Sequence, residues 1–474
     1  MAGKDISKEY RKLPSVNALL QEESVQDLLK EGCARFLLID SIHDVLEKKR
    51  TAIKKKHEAA ERIIVPEISE IAAEVAQSAK KKQRRFLNPV INATGVILHT
   101  NLGRAVLPKR AVEAIQRAAG AYTNLEIDLD TGKRGLRYQN VESLLCKLTG
   151  AEAALVVNNN AAAVFLSLAT LGKGKEAIVS RGQLVEIGGS FRIPDVMEQS
   201  GVKLVEVGTT NKTHVQDIQN AIGPETGLLV RVHTSNYRVV GFTEEVELKE
   251  MVELGCQYQI PVLDDLGSGC LLDLTEHGME EEPLVQNSVK AGADLVTFSG
   301  DKLFGGPQAG IILGKRKYIE RIKKNPLLRA FRIDKLTLSG LEAVLVLYLE
   351  DEEWEKTLPV YQMLFRSYED TKKAADSLAH GLREVWLQQD VVETQQATSR
   401  PGGGSLPETE IMSEVVVLKA RNLSAGELER SLREHVPPIL CRVSRDFVII
   451  DPRTLIEGDK EEIIRAFELM ENGQ

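Results

Sequence analysis

The sequence predicts a doubly wound α/β domain with a mostly parallel sheet, preceded by a helical segment and followed by a smaller α+β domain. Between Ala153 and Lys324, short apolar runs alternate with segments of helical periodicity. Residues 16–86 show helical spacing and no convincing strand, and the alternation stops after Lys324. The predicted domains are residues 1–86 (helical), 87–335 (large α/β) and 336–474 (small α+β).

The elements follow from these patterns in chain order. N-terminal helices are predicted near 16–29, 42–62 and 65–82. Predicted strands of the large domain are 153–157, 177–180, 203–207, 227–232, 261–264, 295–298 and 309–313, with helices 161–171, up to 199, 214–222, 245–255 and 282–291. A helix is predicted at 336–349, helical structure at 360–395, a loop at 401–407, and strands at 414–419 and 447–450.

Composition limits the class of protein. The chain has 474 residues, of which 43% are hydrophobic and 27% charged, as in ordinary globular proteins. No apolar run approaches the ~18 residues of a membrane span, and the N-terminus lacks the apolar core of a signal peptide. The five cysteines are widely spaced, without CxxC or metal-ligand spacing. We therefore expect a reduced, cytoplasmic setting and no metal site.

Charge is distributed unevenly along the chain. Residues 1–86 carry 18 Lys+Arg against 14 Asp+Glu, a balance of +4, whereas the remainder carries 43 against 55, or −12. The basic clusters of the first segment are either solvated helix faces or contacts for the phosphate backbone of a nucleic acid. The candidate RNA-binding residues are Lys48, Lys49, Arg50, Lys54, Lys55, Lys81 and Arg84.

A lysine follows the strand predicted at 295–298. That strand ends in Ser299-Gly300-Asp301-Lys302, and Gly305-Gly306-Pro307 excludes an immediate helix. Lys302 is therefore expected on a tight turn at the mouth of the sheet. A lysine held there, partly out of water, has a nucleophilic amine that forms Schiff bases with carbonyls. The alternative is a surface lysine in a hairpin.

Two earlier strand ends carry complementary groups. Asn160 and Ala161 open a helix after a strand, where backbone N–H groups suit a phosphate, unless Asn158–Asn160 only cap that helix. Asp264 and Asp265 end a buried strand and suit a protonated ring nitrogen, unless they are loop carboxylates. A phosphate site, an acid and a lysine in this order are what pyridoxal phosphate requires. No GxGxxG follows a strand, and a P-loop is absent.

Longer motifs resemble one family. They are Asn92-Ala-Thr-Gly-Val-Ile-Leu-His-Thr-Asn-Leu-Gly-Arg104, Val157-Asn-Asn-Asn-Ala-Ala-Ala163, Glu186-Ile-Gly-Gly-Ser-Phe-Arg-Ile-Pro194, His233-Thr-Ser-Asn-Tyr237 and Phe298-Ser-Gly-Asp-Lys302. The chain resembles, along essentially its whole length, the bacterial selenocysteine synthases (L-seryl-tRNA(Sec) selenium transferases), which are fold-type-I pyridoxal phosphate enzymes. The segment opening Tyr10-Arg-Lys-Leu-Pro-Ser-Val16 is similar to the family's tRNA-binding domain, which shorter relatives acting on small molecules lack.

The resemblance implies roles for individual residues. Lys302 would hold the cofactor, Asp264 would pair with the pyridine nitrogen with Asp265 left open as the alternative, and Asn160, Ala161 and Ser299 would bind the phosphate. Arg104, Arg329 and Arg332 would form an anion pocket for selenophosphate, because guanidinium pairs bidentately with oxyanions. The alternative for Arg329 and Arg332 is a set of salt bridges at a helix end.

The implied reaction converts L-seryl-tRNA(Sec) to L-selenocysteinyl-tRNA(Sec) through a cofactor-bound aminoacrylyl-tRNA. Lys302 would remove the α-proton, His233 is a candidate acid or ring neighbour, and Asp301 tunes the lysine or caps the turn. The family implies a homo-oligomer, at least a dimer and by resemblance a ring of dimers. Two alternatives remain: a pyridoxal phosphate lyase acting on a free amino acid or amino sugar, and a non-catalytic tRNA-binding protein.

Overall fold

The structure, a computed structural model, describes residues 6–59, 62–83, 86–187 and 191–472. The chain divides into two compact units, residues 1–90 and 91–474. Within the described ranges, no helix combines the length and the apolarity needed to cross a membrane.

The first unit is entirely helical where it is described, as its periodicity predicts. Its helices are α1 (Ile6–Tyr10), α2 (Val16–Gln21), α3 (Glu23–Lys30), α4 (Arg35–Glu58) and α5 (Ile68–Gln83). Leu38 and Ile42 of α4 are buried with Ile71 and Val75 of α5 in one apolar cluster. Because these residues recur at helical spacing, each helix presents one apolar stripe to the other.

The second unit contains the remaining elements. Its helices are α6 (Lys109–Ala119), α7 (Gln139–Thr149), α8 (Asn160–Leu171), α9 (Ile193–Gln199), α10 (Val215–Ala221), α11 (Leu248–Tyr258), α12 (Val285–Ala291), α13 (Arg316–Lys323), α14 (Lys335–Glu350), α15 (Trp354–Thr357), α16 (Pro359–Leu364), α17 (Tyr368–Val385), α18 (Ala425–Glu434) and α19 (Asp459–Glu471). Its strands are β1 (Ile91–Ala93), β2 (Ala153–Val157), β3 (Glu176–Ser180), β4 (Glu186–Ile187), β5 (Phe191–Arg192), β6 (Lys203–Val207), β7 (Thr226–Val232), β8 (Val262–Gly267), β9 (Leu295–Ser299), β10 (Gly310–Gly314), β11 (Gln389–Ser399), β12 (Ile411–Ala420), β13 (Ile439–Ser444) and β14 (Phe447–Ile450).

A seven-stranded sheet in the order β2-β10-β9-β8-β7-β3-β6 forms the larger layer. Strands β6, β3, β7, β8 and β9 are parallel, and β10 is antiparallel to both β9 and β2. Alternate residues enter different apolar clusters: Val156 lies in one, whereas Leu155 and Val157 lie in the other. Both faces are therefore covered by helices, which confirms the predicted doubly wound α/β fold.

The smaller sheet has five strands in the order β1-β13-β14-β12-β11. Its edge strand comes from residues 91–93, well before the rest in sequence, and pairs in parallel with β13. The prediction of helical structure through 360–395 was wrong at its end, because α17 stops at Val385 and β11 begins at Gln389. Val392 of β11 is buried in the core of this sheet, so burial and strand pairing decide the conformation there.

Candidate functional site

Lys302 lies on the turn between β9 and β10, as predicted, and is almost fully buried, at 4% exposure. Burial lowers the pKa of its amine, and the positive charge of Arg104 lowers it further. The carboxylates of Asp265 and Asp301 raise this pKa by lesser amounts. Ionisation of Lys302 is thus disfavoured, and a neutral amine is the nucleophilic form.

Two glycine loops close around the Lys302 amine. Gly267 ends β8, and Gly404 lies in the loop before β12; both have positive φ, 71° and 73°. A β-carbon at Gly404 would lie 3.7 Å from Lys302 Nζ and equally far from Ser235 Oγ, and one at Gly267 would lie 3.8 Å from Nζ. The loop predicted at 401–407 therefore reaches the lysine from the smaller sheet's side of the unit. A β-carbon in either position would be in van der Waals contact with the amine, and the positive φ favours glycine there.

The two adjacent aspartates of β8 point to opposite faces of the sheet. Asp265 Oδ1 accepts hydrogen bonds from Asn160 Nδ2 (2.8 Å) and from Thr297 Oγ1 (2.9 Å). Asp264 Oδ1 accepts from Arg231 Nη1 at 3.2 Å, and Ser288 of α12 lies beside it. Burial raises the pKa of both carboxyls, but only Asp265 acts electrostatically on Lys302. Of the two acids predicted for the ring nitrogen, Asp264 and its alternative Asp265, Asp265 is the one on the Lys302 side of β8, since consecutive strand residues face opposite sides.

The start of α8 lies at the same edge of the sheet. Asn159 caps the helix by accepting from the Ala162 amide (2.8 Å), and its carbonyl accepts from Ala163. The amides of Asn160 and Ala161 have no acceptor among the described residues. Gly310 stands opposite both Val157 and Ser299, and a β-carbon there would lie 2.0 Å from the Asn159 carbonyl oxygen. Ser299 and the first turn of α8 are thereby neighbours, an arrangement whose backbone amides suit a phosphate.

The three predicted arginines make different contacts among the described residues. Arg104 donates to Asp301 Oδ2 at 2.8 Å, and both line a cavity of about 490 Å³. Arg332 itself forms an antiparallel bridge with Val157 at the end of β2, and its Nη1 atom lies 3.5 Å from Glu126 Oε1 in a salt bridge. Arg329 is exposed at the end of a short 3₁₀ helix, Pro326–Arg329. Arg104 contacts the Lys302 turn directly through Asp301.

His233 follows β7 and forms part of the same edge. Its backbone amide donates to the Asp265 carbonyl at 2.9 Å, and its ring lies near Glu282, which the sequence did not single out. Burial lowers the pKa of His233 to about 4, and Arg231 and Lys302 act in the same direction. The ring is therefore neutral at physiological pH in this environment.

Several buried polar atoms around Lys302 have no hydrogen-bond partner in the part of the chain that the structure describes. They are Asn160 Oδ1, Arg104 Nε, Ser235 Oγ, His233 Nδ1 and Glu282 Oε1. Buried polar atoms are usually paired, so such a group indicates a site that a polar molecule completes. Free helix amides, an acid and a buried lysine fit the phosphate, ring nitrogen and aldehyde of pyridoxal phosphate.

The candidate RNA-binding residues of the first unit differ in availability. Lys49 pairs with Glu74 of α5, and Arg50 lies 3.2 Å from Glu47 one turn away. Four side chains project into solvent: Lys48, Lys54, Lys55 and Lys81. Arg84 lies outside the described residues. The exposed lysines are free for contact with phosphates, whereas the ion pairs of Lys49 and Arg50 restrict them.

Comparison with known families decides the classification. Residues 90–456 match the family model described as "SelA: L-seryl-tRNA selenium transferase". The chain belongs to this family. It is 50% identical over 460 residues to the L-seryl-tRNA(Sec) selenium transferase of Caldanaerobacter subterraneus subsp. tengcongensis, covering 97% of this chain and 98% of the relative. It is 49% identical to that of Moorella thermoacetica, covering 96% of each.

Solved structures agree at the level of fold. The chain superposes on D-glucosaminate-6-phosphate ammonia-lyase with a TM-score of 0.57 at 20% identity, covering 83% of this chain and 98% of that one. The fold is that of the fold-type-I pyridoxal phosphate enzymes, as predicted. Sequence reasoning passed over Glu282 because it closes a run of three glutamates, Glu280–Glu282, a pattern typical of a solvated surface.

Proposed function

We propose that this protein converts L-seryl-tRNA(Sec) to L-selenocysteinyl-tRNA(Sec) with selenophosphate, and that Lys302 is the residue that binds pyridoxal phosphate covalently. The observation that carries this proposal is the buried Lys302 amine facing Asp265 and the first turn of α8, in a chain of which 97% aligns with a selenium transferase. When bound, the cofactor would supply an electron sink for the α-carbon of the seryl group.

Each side chain of the site has a separate task in this proposal. The amides of Asn160 and Ala161, with Ser299, hold the phosphate at the positive end of α8. Asp265 pairs with the ring nitrogen, and Asn160 and Thr297 fix the carboxylate in position. Lys302 takes the proton from the α-carbon, since its neutral amine is a base. Asp301 holds Arg104 beside the lysine.

Arg104, lining the cavity beside Asp301, is the proposed contact for the selenium donor. Arg329 and Arg332 are exposed and do not line this cavity, so we propose that they serve the same pocket from a neighbouring subunit. Exposed large apolar side chains between α6 and α7 support an interface in this region, next to Glu126, which Arg332 contacts. They are Tyr122, Ile127, Leu129 and Leu136. We accordingly propose a homo-oligomer of at least two copies, arranged as a ring of dimers.

The first unit is the proposed binding site for the tRNA. Lys48, Lys54, Lys55 and Lys81 are exposed and suit a phosphate backbone, which lysines neutralise without reading sequence. A cytoplasmic location is proposed with it, because the five cysteines are all free thiols and cytosolic thiols stay reduced.

Borohydride reduction followed by peptide mapping tests the covalent assignment. The pyridoxyl label is expected on the peptide containing Lys302 in the native protein and in the K324A variant, whose altered lysine is exposed. The K302A variant should carry no label and no turnover of seryl-tRNA. A label on another lysine in the native protein would refute the assignment, and turnover of free serine without tRNA would favour the lyase alternative.

A further inference from the structure

Glu282 is a buried acid that makes no ion pair with a lysine or arginine among the described residues. It precedes α12, and its side chain is 2% exposed. Its Oε1 atom has no hydrogen-bond partner among the described residues and lies 3.9 Å from Nδ1 of His233, which is also unpartnered. A carboxyl–imidazole hydrogen bond spans about 2.6–3.2 Å, and such bonds are often long before substrate binds. The two atoms are one small movement from contact.

The groups around the pair of Glu282 and His233 come from four segments. Ser268 follows β8, the Leu406 backbone belongs to the loop before β12, and Lys302 acts from the turn after β9. Cys270 lies close by, and burial raises the pKa of its thiol to about 12, so it carries no charge. Arg231 acts on the His233 side of the pair.

In this environment Glu282 holds a dissociable proton while the His233 ring is uncharged. Burial raises the pKa of Glu282 to about 7, and Ser268, Leu406 and Lys302 oppose that rise without cancelling it. Burial lowers the pKa of His233 to about 4. Between these values the carboxyl is protonated and the ring is neutral, so a donor and an acceptor face each other within the site.

We propose that Glu282 is a positioning residue that stores a proton and passes it through His233 to the hydroxyl that leaves the seryl group. This inference rests on the proposed function and supplies the acid that the loss of hydroxide needs. The proton from the α-carbon moves to Lys302, and the bond between the β-carbon and oxygen breaks with its electron pair on oxygen. That oxygen takes a proton from His233 and leaves as water. Glu282 returns a proton to the ring.

The test compares full-length variants loaded with pyridoxal phosphate and given seryl-tRNA(Sec) and selenophosphate. E282Q keeps the shape but stores no proton, E282D restores a carboxyl, and H233N removes the relay. E281Q is the matched control, because Glu281 is the exposed neighbour with the same charge. Infrared spectra without cofactor at pH 6 and pH 8 give a readout that does not depend on turnover.

We expect the native and E281Q proteins to show a protonated-carboxyl band at pH 6 that weakens at pH 8 and that E282Q lacks. In E282Q, kcat should fall roughly 10²-fold with KM for seryl-tRNA unchanged. The native kcat should decrease above about pH 7, where Glu282 loses its proton, and E282Q should lack this decrease. E282D should recover part of kcat. The double variant H233N/E282Q should be no slower than the slower single variant, because the two side chains act in series.

Three results would overturn the inference. One is an unchanged pH profile in E282Q, another is a defect confined to KM, and the third is multiplicative losses in the double variant. A native protein that does not turn over seryl-tRNA refutes the proposed function instead. In that case the infrared spectra still show whether Glu282 holds a proton. Absence of the protonated-carboxyl band at pH 6 would refute the role of Glu282 as a proton store, independently of any activity.

Discussion

The N-terminal helical unit and the edge of the seven-stranded sheet use charge in opposite ways. The first unit keeps Lys54 and Lys55 in water, whereas the sheet edge buries Lys302, Asp265 and Glu282. Exposed charges are screened and cost little, and they suit a polyanion held along its backbone. Buried charges are costly, so their pKa values shift and their protons become available for chemistry.

Among these predictions, removing the charge of Asp265 is expected to reduce activity most, because this carboxylate lies within the buried site beside Lys302. D265N should slow selenium transfer roughly 10³-fold, or about 4 kcal/mol, since an amide cannot hold the ring nitrogen protonated. D264N, the matched control on the opposite face, should change the rate by less than about tenfold. The rate of conversion of seryl-tRNA measures both variants, and equal losses would return the role to Asp264.

Because Glu282 is buried, we expect the free energy of unfolding to fall as the pH rises through the range in which this carboxyl titrates. The unfolded carboxyl ionises from about its ordinary pKa of 4.5, whereas the native one keeps its proton to about pH 7. The native state thus binds more protons between these values, and stability falls there by about 1.4 kcal/mol per pH unit.

E282Q removes this titration. The unfolding free energy of E282Q minus that of the native protein should therefore rise by roughly 3 kcal/mol from pH 4.5 to pH 7. Denaturant unfolding at several pH values measures the difference. E281Q should show no such trend. A constant difference between E282Q and the native protein would mean that Glu282 does not titrate in this window.

The smallest effect is expected from changing the exposed lysines of the first unit, Lys54 and Lys55. K54E/K55E should weaken tRNA binding about tenfold near 0.1 M salt and reduce the slope of log K against log[salt] by about 2. The labelling of Lys302 should not change. K372E/K373E reverses two exposed lysines of α17 and is the control. Equal weakening by both variants would assign the effect to net charge alone.

Much of the fold followed from local patterns. The α/β alternation, the turn carrying Lys302 and the cap before α8 are set by residues close together in sequence. The strand at 389–399 was missed because its conformation comes from pairing with β12, whose partner residues lie 12 (Ser399 with Ile411) to 31 (Gln389 with Ala420) positions away, and from the burial of Val392. Strand β1 was not predicted for the same reason, since its partner β13 lies more than 300 residues later in the chain (Ile91 pairs with Ile439).

The sequence by itself determined the chemistry of the site: a lysine after a strand, an acid at an earlier strand end, and a helix start suited to phosphate. Only the tertiary structure decided which acid faces the lysine, because Asp264 and Asp265 are equivalent in sequence and differ only in the face of β8 they occupy. It also brought Gly404 and Glu282 to Lys302 from distant loops. Burial shifts the pKa values of Glu282 and Lys302, and burial is a property of the packed chain.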